Sequence, residues 1–322
     1  MIDSNQALPQ DVMLPNLLVV FDVQVMKSKI EAAMFGDIGT MVNHLRIREC
    51  ELVHVRYKAG RFCVVAYRLT IEDQSGLMKG TQVVSGRMFQ PGQRKNKYLE
   101  GLAKPLLPPA FGRPVFELVE DNMVFWAFPN DRKMPSLPSL KEMDSRQTDP
   151  MVGMLESHYG KTWKFSSISE EIVHYVPEHT CMRRITLQGV NRETGKDQPL
   201  VIYGKTYYNQ QGRDTYRAMK ELWNSQVRND GVLMMPAPLG YDASLQTLWQ
   251  SGLQGAPLSV IAWDDSSVAE MFFKAGGTVA VLHDTSLQGL PHMTKQGLLD
   301  TLKETTAQLL SIRPSRVELI HW

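Results

Sequence analysis

Cysteine is scarce in this chain of 322 residues. There are three, Cys50, Cys63 and Cys181, and none lies in a Cys-x-x-Cys pair. An odd number without metal-ligand spacing reads against a disulfide framework or a zinc site and leaves reduced, mostly buried thiols. An excess of one charge is also lacking. The 35 Lys and Arg nearly cancel the 34 Asp and Glu, so the chain shows no broad electrostatic footprint for nucleic acid or an anionic membrane. Local basic patches able to hold phosphates stay compatible with that balance. Long apolar runs are missing too: Leu17 to Phe21 is typical of the longest, far short of a membrane span. The N-terminus is acidic and polar rather than basic and then apolar, so no signal peptide is read there. The expectation is a soluble cytoplasmic protein with no nucleic-acid or membrane partner. Its composition, 43% hydrophobic and 21% charged, is that of an ordinary globular protein, and its length suggests two domains, one of them partial.

What is present is a repeat, and a missed repeat misreads a whole fold. Glu51-Leu52-Val53-His54 recurs as Glu171-Ile172-Val173-His174, offset by 120 residues. Cys63 then answers to Cys181, Gly86-Arg87 to Gly204-Lys205, Phe89 to Tyr207 and Tyr98 to Tyr216, each offset by 118. The change of two residues is expected as a short deletion in the first turn. Both copies carry strand-rich segments: Leu52 to Tyr57, Arg61 to Ile71 and Thr81 to Phe89, then Ser169 to Tyr175, Cys181 to Val190 and Leu200 to Tyr208. Turns at Lys58-Ala59-Gly60 and Pro177-Glu178-His179 join the first two strands of each copy. Helices are expected from Arg94 to Leu102 and from Asp214 to about Ser225, the second with an apolar stripe of Tyr216, Met219 and Trp223. Val115 to Phe128 reads as one strand-like stretch and Leu245 to Gln250 as a short strand. Val268 to His283 and Lys295 to Leu310 have helical length and periodicity. Ser136 to Pro150, polar and proline-containing, is the best linker.

Several tempting motifs fail. Gly204-Lys205-Thr206 and Gly160-Lys161-Thr162 lack the glycine that a P-loop places five positions earlier; those positions hold Pro199 and Leu155. Trp263-Asp264-Asp265-Ser266 could be taken for a magnesium-binding tract, but acidic and hydroxyl residues just before an apolar helix read as an N-cap. His283-Asp284, near a helix C-terminus, reads as structural.

The second copy does hold an informative constellation. Lys205 on the third strand can meet phosphate oxygens, and a carboxylate on the next helix can hold it in place, as the strand lysine and helix glutamate do in protein kinases. Glu221 is the candidate carboxylate and Asp214 the alternative. In this order the pieces resemble the aminoglycoside phosphotransferase and choline kinase superfamily, particularly its larger bacterial, maltokinase-like members. The resemblance runs from about Ser169 to Leu310. It rests on the Leu200 to Tyr208 strand, the Tyr216 to Trp223 helix, the hinge-like Leu248 to Leu258 and the helix-like Lys274 to His283. The first copy and Val124 to Arg132 are similar to the N-terminal extension of those members, with Arg87 replacing the lysine.

The resemblance implies an α+β fold: two repeated kinase-small-lobe-like units, each an antiparallel sheet plus helix, then the start of a helical large lobe. The boundaries would be 1–148, 149–256 and 257–322. It implies ATP and Mg2+ as cofactors, Lys205 on the phosphates, Glu221 orienting Lys205, and Gln250 to Gly252 beside the adenine. The hairpin around Pro177 to Thr186 would cover the nucleotide. The acceptor would be a hydroxyl of a sugar or other small molecule. The family's catalytic His-Gly-Asp followed by Asn occurs nowhere in these residues, so the expectation is a phosphotransferase cut short before its catalytic loop. The rival is a non-catalytic pseudokinase-like interaction or nucleotide-sensing protein.

Overall fold

Alternating apolar and polar residues lay this chain out as two antiparallel five-stranded sheets with helices, an α+β architecture. The computed structural model describes residues 11–36, 45–139, 149–253, 255, 267–285 and 294–312. It divides into two compact units, Met1–Pro138 with His292–Trp322, and Ser139–Pro291.

The first unit begins with helix α1 (Val23–Phe35), whose N-cap Asp22 accepts from the Val25 N–H at 3.0 Å. Strands β1 (Arg46–Lys58), β2 (Phe62–Glu72) and β3 (Lys79–Met88) follow, then helix α2 (Arg94–Leu102), β4 (Val115–Leu118) and β5 (Met123–Ala127). The stretch expected as one strand from Val115 to Phe128 is thus a hairpin, turned at Asn122 with φ 52°. The second unit repeats the sequence of elements: α3 (Asp149–Tyr159), β6 (Trp163–Val176), β7 (Thr180–Asn191), β8 (Asp197–Tyr207), α4 (Gln211–Trp223), the short α5 (Gln226–Asn229), β9 (Pro238–Asp242) and β10 (Thr247–Ser251). The strand orders match, β1-β2-β3-β5-β4 and β6-β7-β8-β10-β9. Helix α6 (Val268–Asp284) groups with the second unit, and α7 (Lys295–Ile312) with the first. The Trp263 to Ser266 tract lies outside the described residues.

Register places the difference between the copies. β1 bulges between Ile47 and Glu49 and between Leu52 and His54; β6 bulges between Ser167 and Ser169 and between Ile172 and His174. The turns themselves are equal, closing Lys58 on Phe62 and Val176 on Thr180. The expected deletion is therefore not in the turn. It lies in the hairpin arm between the second bulge and the turn, which has five residue pairs in the first copy and three in the second. Side chains alternate with period two, so losing two residues leaves every face unchanged.

One face of each sheet packs under the unit's first helix. Met26, Ile30 and Met34 of α1 meet Val65, Tyr67, Leu69 and Phe125 in the first core. Met151 and Leu155 of α3 meet Ile185, Leu187, Ile202 and Trp249 in the second. The third strand holds a glycine where the fifth strand's ring crosses it: Gly86 opposite Phe125, and Gly204 opposite Trp249. A Cβ at Gly204 would lie 2.5 Å from the Trp249 ring, and one at Gly86 would overlap Phe125 similarly. Glycine is required here by the close approach of a ring, the usual reason for one inside a strand. On the other face of the first sheet, Tyr98 of α2 packs with Val115, Val124 and Trp126.

At one core position an apolar residue of the first copy is replaced by a charged one in the second. Val65 pairs with Gly86, and its counterpart Arg183 pairs with Gly204. Arg183 is 3% exposed, bonds Glu170 at 2.5 Å and lies 5.5 Å from the Trp249 ring centre.

Four variants test this packing by their stability. Gly204→Ala is expected to lower unfolding free energy by about 1–3 kcal/mol through overpacking. Gly153→Ala, in open space on α3, should raise it by up to about 1 kcal/mol; urea melts of both variants compare the two. In the same assay Glu170→Ala should cost about 3 kcal/mol by stripping a carboxylate from a buried guanidinium. Arg183→Val, which installs the first copy's residue, should cost less.

Candidate functional site

Lys205 lies near the end of β8, flanked by Met182 on β7 and Leu248 on β10. Directly opposed residues share a face, and His174 opposes Met182 on β6. The row His174–Met182–Lys205–Leu248 therefore crosses the sheet on the face away from Ile202 and Trp249. The next row places Gln250 beside Tyr203. Lys205 is half-buried, its ammonium 5.1 Å from the ring centre of Tyr207 two residues on. The first copy repeats this stacking: the Arg87 guanidinium is 5.4 Å from the ring centre of Phe89. A cation held against an aromatic face is favoured by roughly 0.5–2 kcal/mol, depending on exposure.

The hinge-like segment is pinned into the sheet. The Ser251 N–H donates to the Ala237 carbonyl at 3.0 Å, and the Gly252 N–H donates to the Val201 carbonyl at 2.7 Å. A Cβ at Gly252 would come within 2.9 Å of that same carbonyl oxygen. These two backbone donors are spent within the sheet, so N–H groups for the edge of a base have to come from Leu253 onward. From Gln250 it is the side chain, partly exposed, that stays on offer.

Helix α4 meets the sheet through Gly212, Tyr216, Met219 and Trp223, which are buried or half-buried. Gly212 approaches the rings of Tyr207 and Tyr241 closely. Helical periodicity puts Glu221 on the opposite side of α4 from that stripe, and it is exposed. Asp214 also points outward, 55% exposed and 4.0 Å from Arg217. The structure thus places Lys205 and Gln250 on one sheet, with Gly252 just past the end of β10, and sets Glu221 apart from the stripe that faces the sheet.

The turn expected to cover a nucleotide is not rich in glycine. Pro177 has no N–H, and that of His179 donates to the Val176 carbonyl at 3.1 Å. Glu178, buried, adopts the left-handed conformation (φ 59°) that Gly60 takes in the first copy. The His179 carbonyl accepts from the Tyr208 N–H at 3.1 Å, tying the turn to the end of β8. Side chains, chiefly Lys205 and His174, are what this face presents to an anion.

His174 shares the row of Lys205, and sequence reasoning did not single it out. Its signal was the repeat itself, but the sequence match to His54 concealed its true register. Because the second hairpin arm is shorter, His174 takes the row position of Arg56, which opposes Val64 and then Arg87. Among the described residues, no group of three or more His, Cys, Asp or Glu is placed to hold a metal ion. No described helix is long and apolar enough to cross a membrane. No family model matches the chain, and neither a curated protein nor a solved structure matches it.

Proposed function

We propose that the second unit binds nucleotide as the small lobe of an aminoglycoside-phosphotransferase-like kinase does. The associated reaction is transfer of a phosphoryl group from ATP to a hydroxyl of a sugar or other small molecule. One observation carries this reading. Lys205 stands on the third strand of a five-stranded antiparallel sheet, the helix α4 follows that strand, and the neighbouring β10 carries Gln250 and leads directly into Gly252. Kinases place their phosphate-binding lysine on such a strand.

In this reading Lys205 and His174 face the phosphates, and the Gln250 side chain lies toward the base. Bound ATP supplies the transferable phosphoryl group; these residues hold and orient it. The described residues offer no magnesium ligand set, and the chain has no His-Gly-Asp motif. The proposal therefore covers nucleotide holding and assigns no transfer step to these side chains.

A second reading, a non-catalytic nucleotide-sensing or interaction protein, is favoured by the outward position of Glu221. Active protein kinases need the lysine–glutamate clamp in place. A helix presenting no carboxylate to Lys205 suits binding without turnover.

Calorimetric titration of the chain with Mg-ATP is the test. Wild type should bind, Lys205→Ala should weaken binding roughly tenfold or more, and Lys161→Ala should leave it unchanged. A wild-type chain that binds no nucleotide at millimolar concentration sinks the kinase and nucleotide-sensing readings and leaves only the interaction protein. Release of ADP in the presence of sugars and small alcohols would then favour transfer over sensing.

A further inference from the structure

A lysine ammonium sits on a flexible four-carbon stem and has no fixed direction of its own. The carboxylates of this region are directed away from Lys205: Asp214 lies by Arg217, Glu171 bonds Arg184, and Glu221 stands on the outward side of α4. What orients the ammonium is the Tyr207 ring, whose centre lies 5.1 Å from it. That attraction is directional, because the negative charge of the ring lies over its faces and the positive charge at its edge.

The ring is itself held in place. Tyr207 is 6% exposed. Its N–H donates to the Gln246 carbonyl at 3.0 Å, in the turn between β9 and β10, and Thr180 of β7 opposes it across the sheet. A further support comes from α4. A Cβ on Gly212 would lie 2.7 Å from the Tyr207 ring and 2.9 Å from that of Tyr241, so the first turn of the helix rests directly on both rings. Tyr241 opposes Leu248, which opposes Lys205, and so belongs to the lysine's own row. A shift of α4 is passed to the ring and, through the ring, to the ammonium.

The first copy builds the same chain from different residues. The Arg87 guanidinium lies 5.4 Å from the ring centre of Phe89, and Phe89 packs in one cluster with Tyr98 of α2. The Phe89 N–H donates to the Asn122 carbonyl at 2.9 Å, as that of Tyr207 does to Gln246. Asn122 and Gln246 are both left-handed turn residues, with φ of 52° and 51°. Cation, ring and following helix are linked in both units, although the cation and the ring differ. The hydroxyl of Tyr207 is therefore dispensable to the linkage, and the ring is not.

We propose that Tyr207 is a positioning residue for Lys205. Its ring, seated on α4 at Gly212, directs the ammonium toward the phosphates, the task that a helix carboxylate performs in protein kinases. The proposal rests on the nucleotide reading of the second unit and adds that the seat of α4 sets how tightly nucleotide is held.

The experiment is a double-mutant cycle on the full chain, read by calorimetric titration with Mg-ATP. Tyr207→Phe, which installs the first copy's ring, should bind as wild type does. Tyr207→Leu and Gly212→Ala should each weaken binding roughly three- to tenfold. Neither should weaken it further when Lys205 is already alanine, whereas a merely structural loss would weaken binding in both backgrounds. Wild type that binds no nucleotide overturns the nucleotide reading and this proposal with it. Wild type that binds and is weakened by Lys205→Ala, while folded Tyr207→Leu has no effect or the same effect in both backgrounds, overturns this proposal alone. Should Tyr207→Leu fail to fold, the wild-type chain decides. After reductive 13C-methylation, the Lys205 resonance, assigned by its loss in Lys205→Arg, should be displaced upfield by the ring; an undisplaced resonance overturns the proposal.

Discussion

The ring of Phe125 or Trp249 lying in the notch of a strand glycine is the contact around which each sheet is organised. A side chain at residue 86 or 204 would hold the fifth strand away from the third, and the edge strand hydrogen-bonded to that fifth strand would move with it. The helix packed on these strands would lose its seat. Strand alternation extends the constraint to the other face. Because each glycine is turned inward beneath the ring, the residue after it is turned outward, and in the two copies that residue is Arg87 or Lys205. One small residue thus determines both the packing inside the sheet and the position of the cation outside it.

Much of this was legible in the sequence, and the exceptions have physical causes. The third strands, α2 and α4 followed from apolar spacing and turn residues. The edge strands β1 and β6 start well before the expected Leu52 and Ser169, because their outer halves carry Arg46, Arg48, Glu49 and Lys164, charges that mask a strand at a sheet's edge. Helix α3 begins at Asp149, inside the end of the expected linker, since Pro150 was read as a break although proline is well accommodated in a first helical turn. In the candidate site, the strand positions of Lys205 and Gln250 were readable. Glu221 was chosen for its distance along the chain from the lysine strand, whereas its direction is set by which side of α4 holds Tyr216, Met219 and Trp223. His174 was hidden because register, not letter-by-letter identity, decides which residues share a row.

Divergence between the copies has moved charge to opposite faces. The first keeps an apolar interior, with Val65 under its ring, and collects arginines outside. The second admits Arg183 into the interior beside Trp249, neutralised by Glu170, and keeps a single lysine on its outer row. The duplicated backbone tolerates either arrangement because the glycine–ring contact stays the same while its neighbours vary.

The bulges have a consequence for the behaviour of the chain in a crowded solution. β1 and β6 are long strands at the outer margin of their sheets, the position where unpaired amide and carbonyl groups can become a row on which another molecule grows. Two irregularities five residues apart interrupt that row in both strands, so no long uninterrupted stretch is left as a template. The duplication therefore copied a safeguard against fibre growth together with the fold, and shortening the hairpin arm by two residues left that safeguard in place.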